Sequence, residues 1–170
     1  MVVEGRFPEV EHFESPTLAA IWGYRMRTPG TPEFLVVQRA TADKEADYPN
    51  MWGLILEHGE SSGGKMEPLI ETAIRGIKTE VQPGLDDSQL SIVKITEPML
   101  FANGTEQLLV QMFLARLQEI ALQDELQAAK WLTIEELSAD IEAASDTYIP
   151  NISVAVRFLQ ESFFLTQAMA

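Results

Sequence analysis

The stretch GESSGGKMEPLIETAIRGIKTE, Gly59 to Glu80, admits two chemistries, and the choice between them decides the fold. Its first half nearly matches a phosphate-binding P-loop, G-x-x-x-x-G-K-[ST], with Gly59, Gly64 and Lys65 in register. Met66 stands where that loop needs a hydroxyl to meet magnesium, and a thioether is a poor partner for a hard cation. Glu57 and Glu60 would oppose an incoming polyphosphate. The downstream chain also lacks the regular strand–helix alternation of a parallel-sheet domain. A glycine- and serine-rich loop leading into a helix describes the stretch better. Pro68 suits a first helical turn, where its missing N–H would be unpaired anyway. Ile70, Ala73, Ile74, Ile77 and Val81 recur at helical spacing and predict one apolar face. Thr72, Gly76, Thr79 and Glu80 fall on or near the opposite side, and Gln82-Pro83-Gly84 ends the helix.

Upstream of this helix, three segments read as strands. They are TLAAIWGYRM (Thr17 to Met26), FLVVQRA (Phe34 to Ala40) and MWGLILE (Met51 to Glu57). A TPGTP turn joins the first two, and the polar run TADKEADYPN separates the second from the third. Downstream, Leu90 to Leu100 and Glu106 to Leu117 read as strands joined by the turn ANGT, although the second also fits a helix on periodicity alone. Lys130 to Ala144 reads as a short strand and then a helix, with Thr133 and Glu136 spaced as a capping box. Asn151 to Gln167 is a last amphipathic helix. Strands bracketing one central and two late helices predict a mixed α/β (α+β) domain over residues 1–170, with 1–16 as an N-terminal extension.

Composition narrows the function. At 46% hydrophobic and 22% charged residues the chain is ordinary globular material, with no apolar run long enough to span a membrane. Without cysteine it has no disulfide framework, thiolate zinc site or thiol nucleophile. The start of the chain lacks the pattern of a secretory signal, and a cytoplasmic location is expected. A formal net charge of −14 disfavours bulk nucleic-acid binding and keeps molecules apart in solution. It leaves room for a small phosphorylated ligand bridged to acids by a divalent metal.

With its flanks, the opening stretch resembles the Nudix hydrolase family, whose box is G-x5-E-x7-R-E-U-x-E-E-x-G-U, with U aliphatic. Anchored on Arg75, the box places Glu67 eight residues earlier, Ile77 at the aliphatic position and Glu80 at the last acid. Ser61, Gly76, Thr79 and Gln82 depart from it. A second register matches GGKME to the family's G-G-K-x-E and leaves the loop before Arg75 about three residues short. AAIWGY, FLVVQRA, YPNMWGL and DELQAAKWLTIEEL also stand in the family's order, so the resemblance spans roughly residues 17 to 160.

The resemblance implies a mixed sheet sandwiched between helices. It also implies a carboxylate-bearing helix that holds Mg²⁺ or Mn²⁺ against a nucleoside diphosphate linked to another moiety, so that water can cleave the pyrophosphate. On that basis Glu80, Glu67 and Arg75 are the expected catalytic residues, with Arg75 and Glu67 clamping loop to helix. Metal ligands are expected from Glu80, Glu67, Glu71 and Glu60, with Glu57 and Glu125 as further nearby acids. Arg39 is the expected contact for a substrate phosphate, as a bidentate guanidinium or else a plain surface cation. His58 lies in the acidic loop, and Trp52 and Trp131 are expected in the core. The stripe Val154, Val156, Phe158, Phe163 and Phe164 suits the core or a homodimer surface. Loss of the acids at 76 and 79 motivates the alternative of an inactive module that binds a nucleotide-like ligand or a protein.

Overall fold

In the computed structural model, described for residues 2–3, 16–41, 48–103, 106–123 and 125–166, the central strand is β2, Thr17–Thr28. Both its faces are apolar. Ala20 and Trp22 face one hydrophobic cluster, and Ala19 and Ile21 face another. A strand buried on both faces must lie between two layers, and here helices supply both.

The strands in chain order are β1 (Val2–Val3), β2, β3 (Thr31–Arg39), β4 (Trp52–Gly53), β5 (Ile55–His58), β6 (Ser61–Ser62), β7 (Lys65–Met66), β8 (Ile92–Lys94), β9 (Met99–Asn103), β10 (Glu106–Arg116) and β11 (Leu126–Leu132). The helices are α1 (Leu69–Glu80), α2 (Ile134–Ala143) and α3 (Ile152–Thr166). The main sheet runs β1-β9-β10-β2-β3-β11. Its β2–β10 ladder is parallel, from Thr17 opposite Leu109 to Arg116 opposite Tyr24. On its other edge β2 pairs with β3 near Tyr24, and with β5 from Leu18 to Ile21. β4 pairs with β3 at Val37 and Gln38. β2 and β3 therefore diverge, and the β4–β5 segment enters the wedge between them.

The helices divide by face. α1 packs through Leu69, Ala73 and Ile77 against Ile21, Leu35, Val37 and Ile55. α2 and α3 cover the other face through Leu137, Ile141, Ile152 and Leu159, against Trp22, Phe34 and Val36. The expected sandwich is thus observed. The capping box of α2 is also present: Glu136 N–H donates to Thr133 Oγ1, and Thr133 N–H to the Glu136 carboxylate.

Several local expectations need correction. The glycine-serine loop is a small hairpin, β6–β7, with Gly63 and Gly64 at its tip at φ of 60° and 78°. Leu90 to Leu100 is two strands rather than one. Between them Thr96 Oγ1 accepts from Met112 N–H, and Pro98 has no N–H to continue a ladder. Glu106 to Leu117 is strand as expected, over Glu106–Arg116, and pairing on both its edges decides against the helix that periodicity alone also allowed. On α1, Ile70 is exposed while Thr72, Gly76 and Glu80 are buried, since β5 lies along that flank. Val2 and Val3, assigned to the extension, pair with β9 at the sheet edge.

Trp52 and Trp131 are half-buried at the core margins, capped by Lys130 and Arg25, each 4.2 Å from a ring centre. Val156 and Phe158 belong to the α3 side of the core. The side chains of Phe163 and Phe164 lie outside the described residues, as do residues 4–15, 42–47 and 104–105 and Asp124.

Candidate active site

Strand alternation carries two apolar rows into polar ends on the α1 face. Leu35 and Val37 are followed by Arg39, and Ile55 is followed by Glu57. The C-terminal half of α1 supplies Gly76, Thr79 and Glu80 to the same region. The segment before β11 closes it: Gln123 N–H donates to Glu80 O, and Ala40 N–H to Glu125 O.

Arg75 is the hub beside this site. Its guanidinium donates to Glu67 at 2.8 and 3.3 Å, to Glu57 Oε1 at 2.7 Å and to the His58 carbonyl at 2.7 Å. Glu60 lies 3.5 Å away, with its side chain largely exposed. Glu67 also accepts from Thr72 Oγ1 at 2.7 Å. Hydrogen bonds from Arg75 hold the Glu67 carboxyl below its ordinary range, against the cost of burial. Glu67 and Arg75 therefore meet as a loop-to-helix clamp, and the carboxylate of Glu67 is occupied by it.

Glu80 is in the opposite situation. It is only 2% exposed, and among the described residues neither carboxylate oxygen has a hydrogen-bond partner. Among the described residues the nearest cation is Arg39, whose Nη1 lies 3.7 Å from Oε1, beyond hydrogen-bond reach. Burial pushes the Glu80 carboxyl up to about 8, the charges of Glu57 and Glu125 push the same way, and Arg39 opposes them. A buried carboxylate without donors is costly, and such groups concentrate at functional sites.

The remaining expected ligands are not brought to Glu80. Glu71 is exposed in the first turn of α1, roughly 13 Å along the axis from it at about 1.5 Å per residue. Among the described residues, no three His, Asp or Glu side chains converge as a ready-made metal cage. Magnesium does not require one, since it is commonly held by one or two carboxylates together with water and substrate phosphates. The hard, orphaned oxygens of Glu80 fit such an ion in kind.

The Gly63–Gly64 tip ends the P-loop alternative. It turns a hairpin instead of opening a helix N-terminus, and Lys65 lies in β7.

The fold has many solved counterparts. A C. elegans Ap4A hydrolase, solved as a binary complex, aligns over 89% of this chain and 98% of its own, at 24% identity and TM-score 0.61. The NUDIX domain of Shewanella oneidensis NrtR, complexed with ADP ribose, covers 89% and 90% at 14% identity and TM-score 0.60. RenU, a Nudix hydrolase from M. smegmatis, covers 89% and 86% at 16% identity and TM-score 0.59. No family model matches the chain, and no curated protein matches it in sequence. The fold is therefore the Nudix fold. No helix among the described residues is long and apolar enough to cross a membrane.

Proposed function

We propose that this chain is a divergent Nudix-type hydrolase that cleaves the pyrophosphate of a nucleoside diphosphate linked to another moiety. The observation that carries this is Glu80, a buried carboxylate with both oxygens unpartnered, at the junction of α1, β3 and β5. A buried carboxyl without donors costs stability, which supports a functional role for it here. Glu80 would hold a Mg²⁺ or Mn²⁺ ion, which would neutralise phosphate charge and lower the pKa of the attacking water. Arg39, beside Glu80 and largely buried, would turn its guanidinium to a substrate phosphate once a cation replaced it as counter-charge. Arg75 and Glu67 would keep the loop in place without touching the reacting atoms.

The test is turnover of a panel of nucleoside diphosphate derivatives with and without Mn²⁺. Metal-dependent release of a nucleotide product by the wild type, lost in Glu80→Gln, is expected. No turnover with any substrate at saturating Mg²⁺ or Mn²⁺ would overturn the hydrolase.

A second reading, an inactive ligand-binding module, is favoured by one observation. Arg39 already supplies a cation facing Glu80. It expects nucleotide-like ligands to raise the melting temperature in chelator as much as in Mn²⁺.

A further inference from the structure

The two positions where α1 lacks the expected acids share one neighbour. A Cβ placed on Gly76 would lie 2.7 Å from the Cβ of Glu57, 3.3 Å from its Cγ and 3.5 Å from its Oε2. The same Oε2 lies 3.3 Å from Thr79 Oγ1, whose single proton has a nearer acceptor in the Arg75 carbonyl at 3.0 Å. The side chain of Glu57 therefore fills the space that an acid at 76 would take, and its carboxylate reaches the hydroxyl at 79. Positions 76 and 80 are one helical turn apart on one face, so this space adjoins Glu80. Arg75 holds Oε1 of Glu57 at 2.7 Å and leaves Oε2 turned to Thr79. A carboxylate oxygen that shares at most one weak hydrogen bond retains acceptor capacity.

The geometry points to a transposition: the metal-binding carboxylate missing from α1 is supplied by Glu57 of β5, and Gly76 is glycine because Glu57 occupies its side-chain space. This rests on the hydrolase reading, in which Glu80 anchors the ion, and adds the second protein ligand. Two independent observations meet here. One is the close approach over Gly76, and the other is the fully buried, unpartnered carboxylate of Glu80 one turn away. The arrangement gives the site two carboxylates from two elements, with substrate and water oxygens to complete an octahedron.

The test is Mn²⁺ binding by the full chain, read by calorimetry and by the loss of the free-ion electron paramagnetic resonance signal, with no substrate present. Glu57→Gln keeps an oxygen to accept from Arg75, so its melting temperature in chelator should stay near that of the wild type. Its Mn²⁺ affinity should fall by at least about tenfold, the scale on which even outer-shell partners of a metal act. Gly76→Glu alone should fold less stably, because the new side chain meets Glu57. The double variant Glu57→Gly with Gly76→Glu moves the carboxylate back to the helix and should regain both stability and Mn²⁺ affinity. A role for Glu57 confined to bracing Arg75 predicts no such regain. Wild-type affinity in Glu57→Gln, with affinity lost in Glu80→Gln, would overturn the transposition and leave the anchor standing. A folded double variant without regained affinity would also overturn it. Absence of Mn²⁺ binding by the wild type would overturn the transposition, while the hydrolase reading beneath it is decided separately by turnover with substrate.

Discussion

Glu80 and Glu67 are two carboxylates within one loop–helix segment, and their environments drive them in opposite directions. Glu67 has Arg75 and Thr72 as donors, so its ionised form is favoured on folding, and its contribution is lost as pH falls through its lowered value. Glu80 has no donor among the described residues, and its folded value of about 8 lies above the ordinary 4.5. For Glu80 the sign is therefore reversed. Below its unfolded value both states hold the proton, and between the two values only the native state does. Stability from this group is full at acid pH and declines as pH rises toward 8. In chelator, wild type should lose stability relative to Glu80→Gln across that window, by at most about 1.4 kcal/mol per pH unit. Arg39, Glu57 and Glu125 face the group and set the slope within that limit. Denaturant unfolding at several pH values checks this. Parallel pH profiles for the two proteins would show that Glu80 ionises normally in its site.

At the scale of elements, α1 is constrained more tightly from its flank than its composition suggests. Replacing a mid-helix glycine by alanine ordinarily gains about 1 kcal/mol. Here the new methyl would stand 2.7 Å from Glu57 Cβ, an atom fixed to the β5 backbone, and overpacking of this kind costs about 1–3 kcal/mol. Gly76→Ala should therefore destabilise, seen as a lowered urea midpoint, and Glu57→Ala in the same chain should relieve it. Much of the scaffold was legible in the sequence, because β2 and β3 carry unambiguous strand patterns and Thr133 with Glu136 marks the start of α2, whereas β11 was legible only from Lys130 and begins at Leu126. Arg39 and Glu57 could have been placed on one face by continuing the alternation past Val37 and Ile55. The burial of Glu80 could not have been read this way. Periodicity finds the apolar stripe of a helix but says nothing about which strand lies along its polar flank. For the same reason the contact between Glu57 and Gly76, separated along the chain and brought together by the packing of α1 along β5, left no local signal.

Across the whole molecule, a formal charge of −14 makes self-repulsion a general cost of compactness. Raising NaCl from about 0.01 M to about 0.15 M shortens the screening length from about 30 Å to about 8 Å. The melting temperature should rise over that range, and equally in Glu80→Gln, because the repulsion belongs to the surface. A rise confined to the wild type would place the effect in the site instead. The parallel β2–β10 ladder sets the timing of assembly. Thr17 meets Leu109, more than half the chain away, and both hydrophobic clusters draw residues from this pair of strands. Neither layer can close until β10 arrives, however early β2, β3 and β5 find one another. Ladders of this separation slow folding and leave sheet edges exposed in the meantime. During synthesis the nascent chain must carry β2 with its eventual neighbour still unmade, both apolar faces of the strand waiting for cover.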